Sequence, residues 1–389
     1  MLSTLLIVSF LVICVITLII RKKHMHLWLG HYLRRKLNST DSSNKTKHIM
    51  FCFVDHYEPM WGKDIPYEQE CQRVERWYQE YPAVAKKFKD ADGCYPKHSF
   101  FYPEEEYRKE HLDKITDLCA QGLGEIEIHL HHHNDTSDNL RNTLEGFTEL
   151  LHENHGAFTR NEETGKLQYT FIHGNWCLDN SLPSGNMCGV NDELIVLRET
   201  GCFADFTFPS APSPTQPAMV NEIYYAKDDP EKPKSHNTGR IVEVGGSPWG
   251  DIMLITGPVG LNWKQCKKGF IPQIENSDIR TSMPPTNDRV DLWVDTAISV
   301  KGKPDWLFVK IHTHGTQEQD MDTLLGKPFE NMCQYLEDKY NDGKNFALHY
   351  VSAREMYNIV KAAEAGEQGS PNAYRNFHVA APEYKVSDS

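Results

Sequence analysis

Two periods of hydrophobic and polar residues run along this chain, after an opening stretch with neither. From Leu2 to Ile20 there is no charge, close to the roughly 20 residues with which an α-helix crosses a bilayer. No Lys or Arg precedes the run and no small-residue cleavage site follows it, so an uncleaved transmembrane helix over 2–20 is expected rather than a signal peptide. Arg21, Lys22, Lys23, Arg34, Arg35 and Lys36 all lie after the run. The positive-inside rule then puts the rest of the protein on the cytoplasmic side of a membrane. Residues 21–47 read as a basic juxtamembrane segment and a polar linker.

From residue 48 the pattern changes. "HIMFCFV", "KHSFF", "EIEIHL", "LQYTFIHG", "CFADFTF" and "DWLFVKIHTHG" are short apolar or alternating runs, and each reads as a strand. Between them lie helical stretches. One runs from Tyr67 to Lys89, with Pro82 expected to end or kink it. Another runs from Glu104 to Gln121. A third begins at Asp138, with Leu140, Leu144, Phe147 and Leu151 at helical spacing. Strands alternating with helices predict an α/β domain over 48–365, built on a mainly parallel sheet or barrel. Residues 209–304 break the rhythm. They are rich in Pro, Gly and Asn, and read as a long loop-rich insertion that folds over one end of the barrel. Residues 366–389 read as a polar tail that frays.

Composition narrows the function. A hydrophobic share of 39% and a charged share of 24% are those of a globular protein. The net charge of −13 argues against a nucleic-acid partner, which requires a basic face. Ten cysteines occur without a C-x-x-C pair or framework spacing, which suits a reducing compartment.

The chemistry concentrates at strand ends. "GEIEIHLHHHNDT" crowds His129, His131, His132 and His133 into five positions. His129, His131 and His133 share a face if the strand continues, and His129 and His133 converge from a bend if the chain turns after His129. Either arrangement suits zinc, which accepts neutral imidazole at about 2.0–2.1 Å. Asp55 and His56 follow the first strand, and His312 and His314 follow the last. Ligands in parallel α/β folds bind at the carboxyl ends of strands, so these three ends are expected to meet.

The order "FVDHYEP", "EIHLHHHND", "FVKIHTHG" resembles the polysaccharide deacetylase family, carbohydrate esterase family 4. "FIHGNWCLDNS" and "GCFADFTFPS" stand where that family has its intermediate motifs. The resemblance covers Lys47 to Thr316 in pieces. It implies an irregular (β/α) barrel, a divalent metal, most readily zinc, and hydrolysis of N-acetyl groups on a glycan or lipid-linked glycan precursor. Carried over, it makes Asp55, His56, His129 and His133 the metal ligands, and makes Asp55, His312 and His314 catalytic, with His312 as the acid. It leaves Tyr57, His173, Trp176 and Asp179 to the substrate. The chain departs from the family in two places. No second Asp neighbours Asp55, so Asp55 is base or ligand, with Glu58 as a substitute. "FIHGNWCLDNS" lacks the Arg that orients the base, leaving that work to His173 or Asp179.

The residue types match the reaction. A divalent metal activates water and polarises a carbonyl, a carboxylate takes the water's proton, and an imidazole protonates the leaving amine near neutral pH. Another metal-dependent hydrolase, of the amidohydrolase or phosphoesterase type, is the alternative. So is a glycan-binding relative without turnover.

Overall fold

The computed structural model describes residues 2–38, 45–267, 269 and 271–386. The apolar run forms helix α1 (Leu2–Lys22), whose Leu6, Phe10 and Leu18 side chains are exposed. Among the described residues no helix is long and apolar enough to cross a membrane. The expected transmembrane anchor is therefore not supported, and the basis for a cytoplasmic body goes with it. The basic segment is also more than a tether. Trp28 is fully buried against Ala211, Val220 and Val259. From helix α2 (Leu29–Asn38), Arg35 donates to the carbonyls of Thr296 and Ala297 and pairs with Glu222 at 3.2 Å. Part of the expected linker, residues 39–44, lies outside the described residues.

The body begins with strand β1 (Lys47–His56), buried from Ile49 onward. Helix α3 (Tyr67–Ala85) contains Pro82 in its last turn, and ends three residues beyond it. Strand β2 (His98–Pro103), helix α4 (Lys109–Ala120), strand β3 (Gly124–Leu130) and helix α5 (Ser137–His155) follow the predicted alternation. Thr136 caps α5 by accepting from the Asn139 N–H, and Gly156 ends it in the left-handed region. Next come β4 (Thr159–Arg160), β5 (Leu167–His173), helix α6 (Glu193–Thr200) and β6 (Cys202–Asp205).

The insertion carries more structure than its composition implies. It contains β7 (Ile223–Ala226), β8 (Arg240–Ile241) and β9 (Ile252–Ile255), then a hairpin of β10 (Gly260–Lys267) and β11 (Ile271–Glu275), then helix α7 (Asn287–Asp295). The chain returns through β12 (Trp306–Thr313), α8 (Glu318–Leu324), α9 (Lys327–Tyr340), β13 (Phe346–Val351) and α10 (Ala353–Ala365).

The main sheet runs β12-β1-β2-β3-β5-β6-β9-β7-β8, parallel from β12 to β9. One edge of β1 is shared, with β13 pairing Lys47–Cys52 and β2 pairing Phe53–His56. Among the described residues the end strands β12 and β8 do not pair directly, so closure of the expected barrel is not shown; residues 298–301 run between them, Lys301 bonding Val242 and Val244 just past β8 and Ile298 O accepting from Phe308 N–H of β12. Instead the outer edge of β12 is covered by the insertion. Ile279 N–H donates to His312 O, and His312 N–H to Ser277 O, which satisfies an edge that would otherwise invite pairing. The polar tail also docks. Arg375 bonds Tyr350 O, Glu355, Asp90 and Asp92, Val379 is buried, and the Tyr384 hydroxyl accepts from Ile126 N–H. Residues 387–389 lie outside the described residues.

Candidate metal centre

Successive side chains of β1 point to opposite faces, so Asp55 and His56 part company. Asp55 is fully buried and accepts from His98 Nε2 at 2.7 Å and from Gly315 N–H at 2.6 Å. His98 is enclosed by Phe53, Trp77, Tyr81 and Phe100, with ring centroids 4.5–5.4 Å away. Trp77 Nε1 donates to Gly315 O at 2.8 Å. A Cβ at Gly315 would lie 2.0 Å from Asp55 Oδ2, so only glycine allows this approach. Asp55 thus ties the loop after β12 to the end of β1.

On the other side, four imidazoles converge on Glu58. His129 Nε2 lies 3.1 Å and His131 Nε2 3.2 Å from Glu58 Oε1. The ligand atoms of Glu58, His129 and His131 all lie within 4.8 Å of one another, as do those of His56, Glu58 and His314. The His56 and His314 rings stack at 4.6 Å, and His56 meets His129 edge-on at 4.8 Å.

These residues fit a divalent metal. His129 Nδ1 faces the carbonyl of Ile172 at 2.8 Å, so it must donate its proton there. In the neutral ring its Nε2 then presents a lone pair to a carboxylate. His131 repeats the pattern, with Nδ1 on Glu105 at 2.5 Å. Glu58 Oε2 and His314 Nδ1 are buried without a partner. Acceptors that converge with no donor between them are completed by a cation or by extra protons. Burial, aided by His314, His129 and His312, holds His56 neutral, well below its usual range. Burial acts to raise the Glu58 carboxyl, but a proton on the His129 and His131 nitrogens that face it would overcome that and hold it well below its ordinary range, the place a cation takes when both rings are neutral. Burial acts downward on His131, yet Glu105 and Glu58 carry it up to about 10, so a proton there competes with a metal for one lone pair. Imidazoles with a carboxylate are a zinc-type donor set.

The other expected site residues are dispersed. His133 is exposed, and its Nδ1 accepts from Met187 N–H at 3.0 Å. β3 ends at Leu130, so strand alternation no longer governs the histidines beyond it, and His131 stands beside Glu58 instead. Tyr57 is fully buried among Trp77, Phe100 and Tyr102. Trp176, half-buried in the left-handed region, lies 6.0 Å from the His56 ring and 5.8 Å from that of His314. His312 is buried with both ring nitrogens unpartnered, and Asp278 Oδ1 stands 4.0 Å from Nε2, beyond hydrogen-bond reach. Burial keeps it neutral. His173 and Asp179 belong to a separate cluster around Glu193.

His98 and Glu193 went unread in the sequence, and Glu58 was read only as a substitute base. The spacing His56-x-Glu58, which puts both side chains on one side of an extended chain, was a signal for a ligand pair. His98 was legible as a lone polar residue on the Phe100 face of β2. Glu193 gave no signal.

Fold and side chains together define a mixed α/β protein with a candidate metal centre at the carboxyl ends of β1, β3 and β12. No family model matches the chain, and no curated protein matches it. A solved structure described as a "putative polysaccharide deacetylase from Mycobacterium smegmatis" is similar over 85% of this chain and 96% of that chain, at 14% identity and a TM-score of 0.42.

Proposed function

We propose that this protein is a metal-dependent hydrolase that removes N-acetyl groups from a glycan. The observation that supports it is the convergence on Glu58 of four imidazoles, two of which, His129 and His131, already have their other ring nitrogen engaged elsewhere. In this reading His56, Glu58, His129, His131 and His314 hold the ion. A divalent cation supplies Lewis-acid activation of water and of a carbonyl. Glu58 Oε2, free of partners, accepts the proton of the attacking water. Asp55 positions rather than reacts, because its oxygens secure His98 and the loop that carries His314. His312 is neutral and unpartnered, so it would first take up the proton released from the water and then pass it to the leaving amine. Trp176 offers a ring face to a sugar.

The test is acetate release from N-acetylglucosamine oligomers by the full chain, before and after chelation and after return of zinc. Release that falls on chelation and returns with zinc is the expected result. A zinc-loaded protein that releases no acetate but hydrolyses a phosphomonoester overturns this reading in favour of a phosphoesterase.

A further inference from the structure

A second group of side chains, outside the centre just described, has the same unmet need. His132 Nε2 lies 3.1 Å from Glu193 Oε1, and His173 Nε2 lies 3.5 Å from that same oxygen. The three ligand atoms are all within 4.8 Å of one another. Glu193 and His173 are fully buried, and His173 Nε2 has no hydrogen-bond partner.

The outer contacts fix the roles of these atoms. His173 Nδ1 faces the carbonyl of Gly174 at 2.5 Å and must carry a proton to do so. His132 Nδ1 faces Asp135 Oδ2 at 2.9 Å. In the neutral rings both Nε2 atoms therefore present lone pairs to a carboxylate oxygen. Glu193 Oε2 is held by the Asp179 N–H at 2.6 Å, which aims Oε1 at the two imidazoles. Backing of a ligand imidazole by a carboxylate or carbonyl is the usual support of a metal site. The backbone leaves room for it, since a Cβ on Gly189 would lie 1.9 Å from His132 Cε1. Gly189 also lines a cleft of about 700 Å³ together with Asn134, Asn180 and Cys188, so His132 packs directly behind the wall of that cleft.

We infer that His132, His173 and Glu193 form a second divalent-metal site, of the two-imidazole, one-carboxylate class that takes zinc or cobalt, distinct from the centre at Glu58. His131 and His132, adjacent in sequence, serve the two sites separately. The inference stands whether or not the protein is a deacetylase.

The test is cobalt titration of the chelated full chain, with bound metal counted by elemental analysis and ligand type read from the visible spectrum. His173→Ala and Glu193→Gln are each expected to lose about one ion per chain relative to the unaltered protein, while Glu58→Gln with His129→Ala keeps an ion with a nitrogen-ligand spectrum. If His173→Ala and Glu193→Gln keep the unaltered count, the cluster is a proton-filled hydrogen-bond network and the inference fails. Should those variants not fold by circular dichroism, the Glu58→Gln, His129→Ala protein decides: an ion retained there supports the second site, and none retained overturns it.

Discussion

Gly315 shows how one residue sets the chemistry within reach of others. Its N–H is 2.6 Å from Asp55 and its carbonyl receives Trp77, while the missing side chain is what lets Asp55 come so close. Gly315→Ala is expected to push the loop off β1, to cost about 1–3 kcal/mol as an overpacked core position, and to lower metal content because His314 moves with the loop. Chemical denaturation and metal analysis of one preparation check both effects. The roles of His312 and Glu58 separate by a different experiment. His312→Ala should keep its metal and lose about 10²–10⁴ in turnover, the range for a lost general acid, whereas Glu58→Gln should lose metal as well. Loss of metal from the His312 variant would make His312 a ligand. Such assignments were half legible in the sequence. The density of histidine at the β3 end pointed to a metal. Which imidazole turned inward did not follow, because beyond Leu130 the backbone path, not strand periodicity, directs each ring. Glu193 was invisible because α6 delivers it from a distant stretch of chain.

Among the elements, β1 and β12 were readable as nearly continuous apolar runs, and β3 by its alternation. The insertion strands were not. β7 and β9 have four residues each, between Pro- and Gly-rich turns, and they become strands by pairing with each other, β9 also with β6 and β7 also with β8. Helix α10 carries a testable case of electrostatics within one element. Ser352 and Glu355 form a capping box at its N-terminus. Burial acts to raise Glu355, but Lys97, Arg375 and Arg354 overcome it and hold the carboxyl at about 2, against an ordinary 4.5. Because the folded value is the lower one, this stabilisation is complete above about pH 4.5 and is lost as the pH falls toward 2. Its size is about 3 kcal/mol. Urea midpoints at pH 6 and pH 3 should therefore lie further apart for the unaltered protein than for Glu355→Gln. Equal separations would show that the three cations do not act through this carboxylate.

At the scale of the whole molecule, β1 is the strand to which three others attach. β12 runs along one edge from His48 to Asp55, and β13 and β2 divide the other. Its amides open only when neighbours on both sides release it, which places it at the high end of local stability. In deuterated buffer the N–H groups of Ile49 to Val54 are expected to exchange last of all, at the rate of global unfolding. Earlier exchange there than in β7 or β8 would contradict this. For the residues at its end and just past it the consequence is one of time. His56 and Glu58 are spliced directly onto the segment that lets go last, so the ligand cage should outlive every partial opening of the periphery. An ion bound there would then leave on the clock of complete unfolding, and slow release to a strong chelator, keeping pace with deuterium uptake in β1, would be its signature.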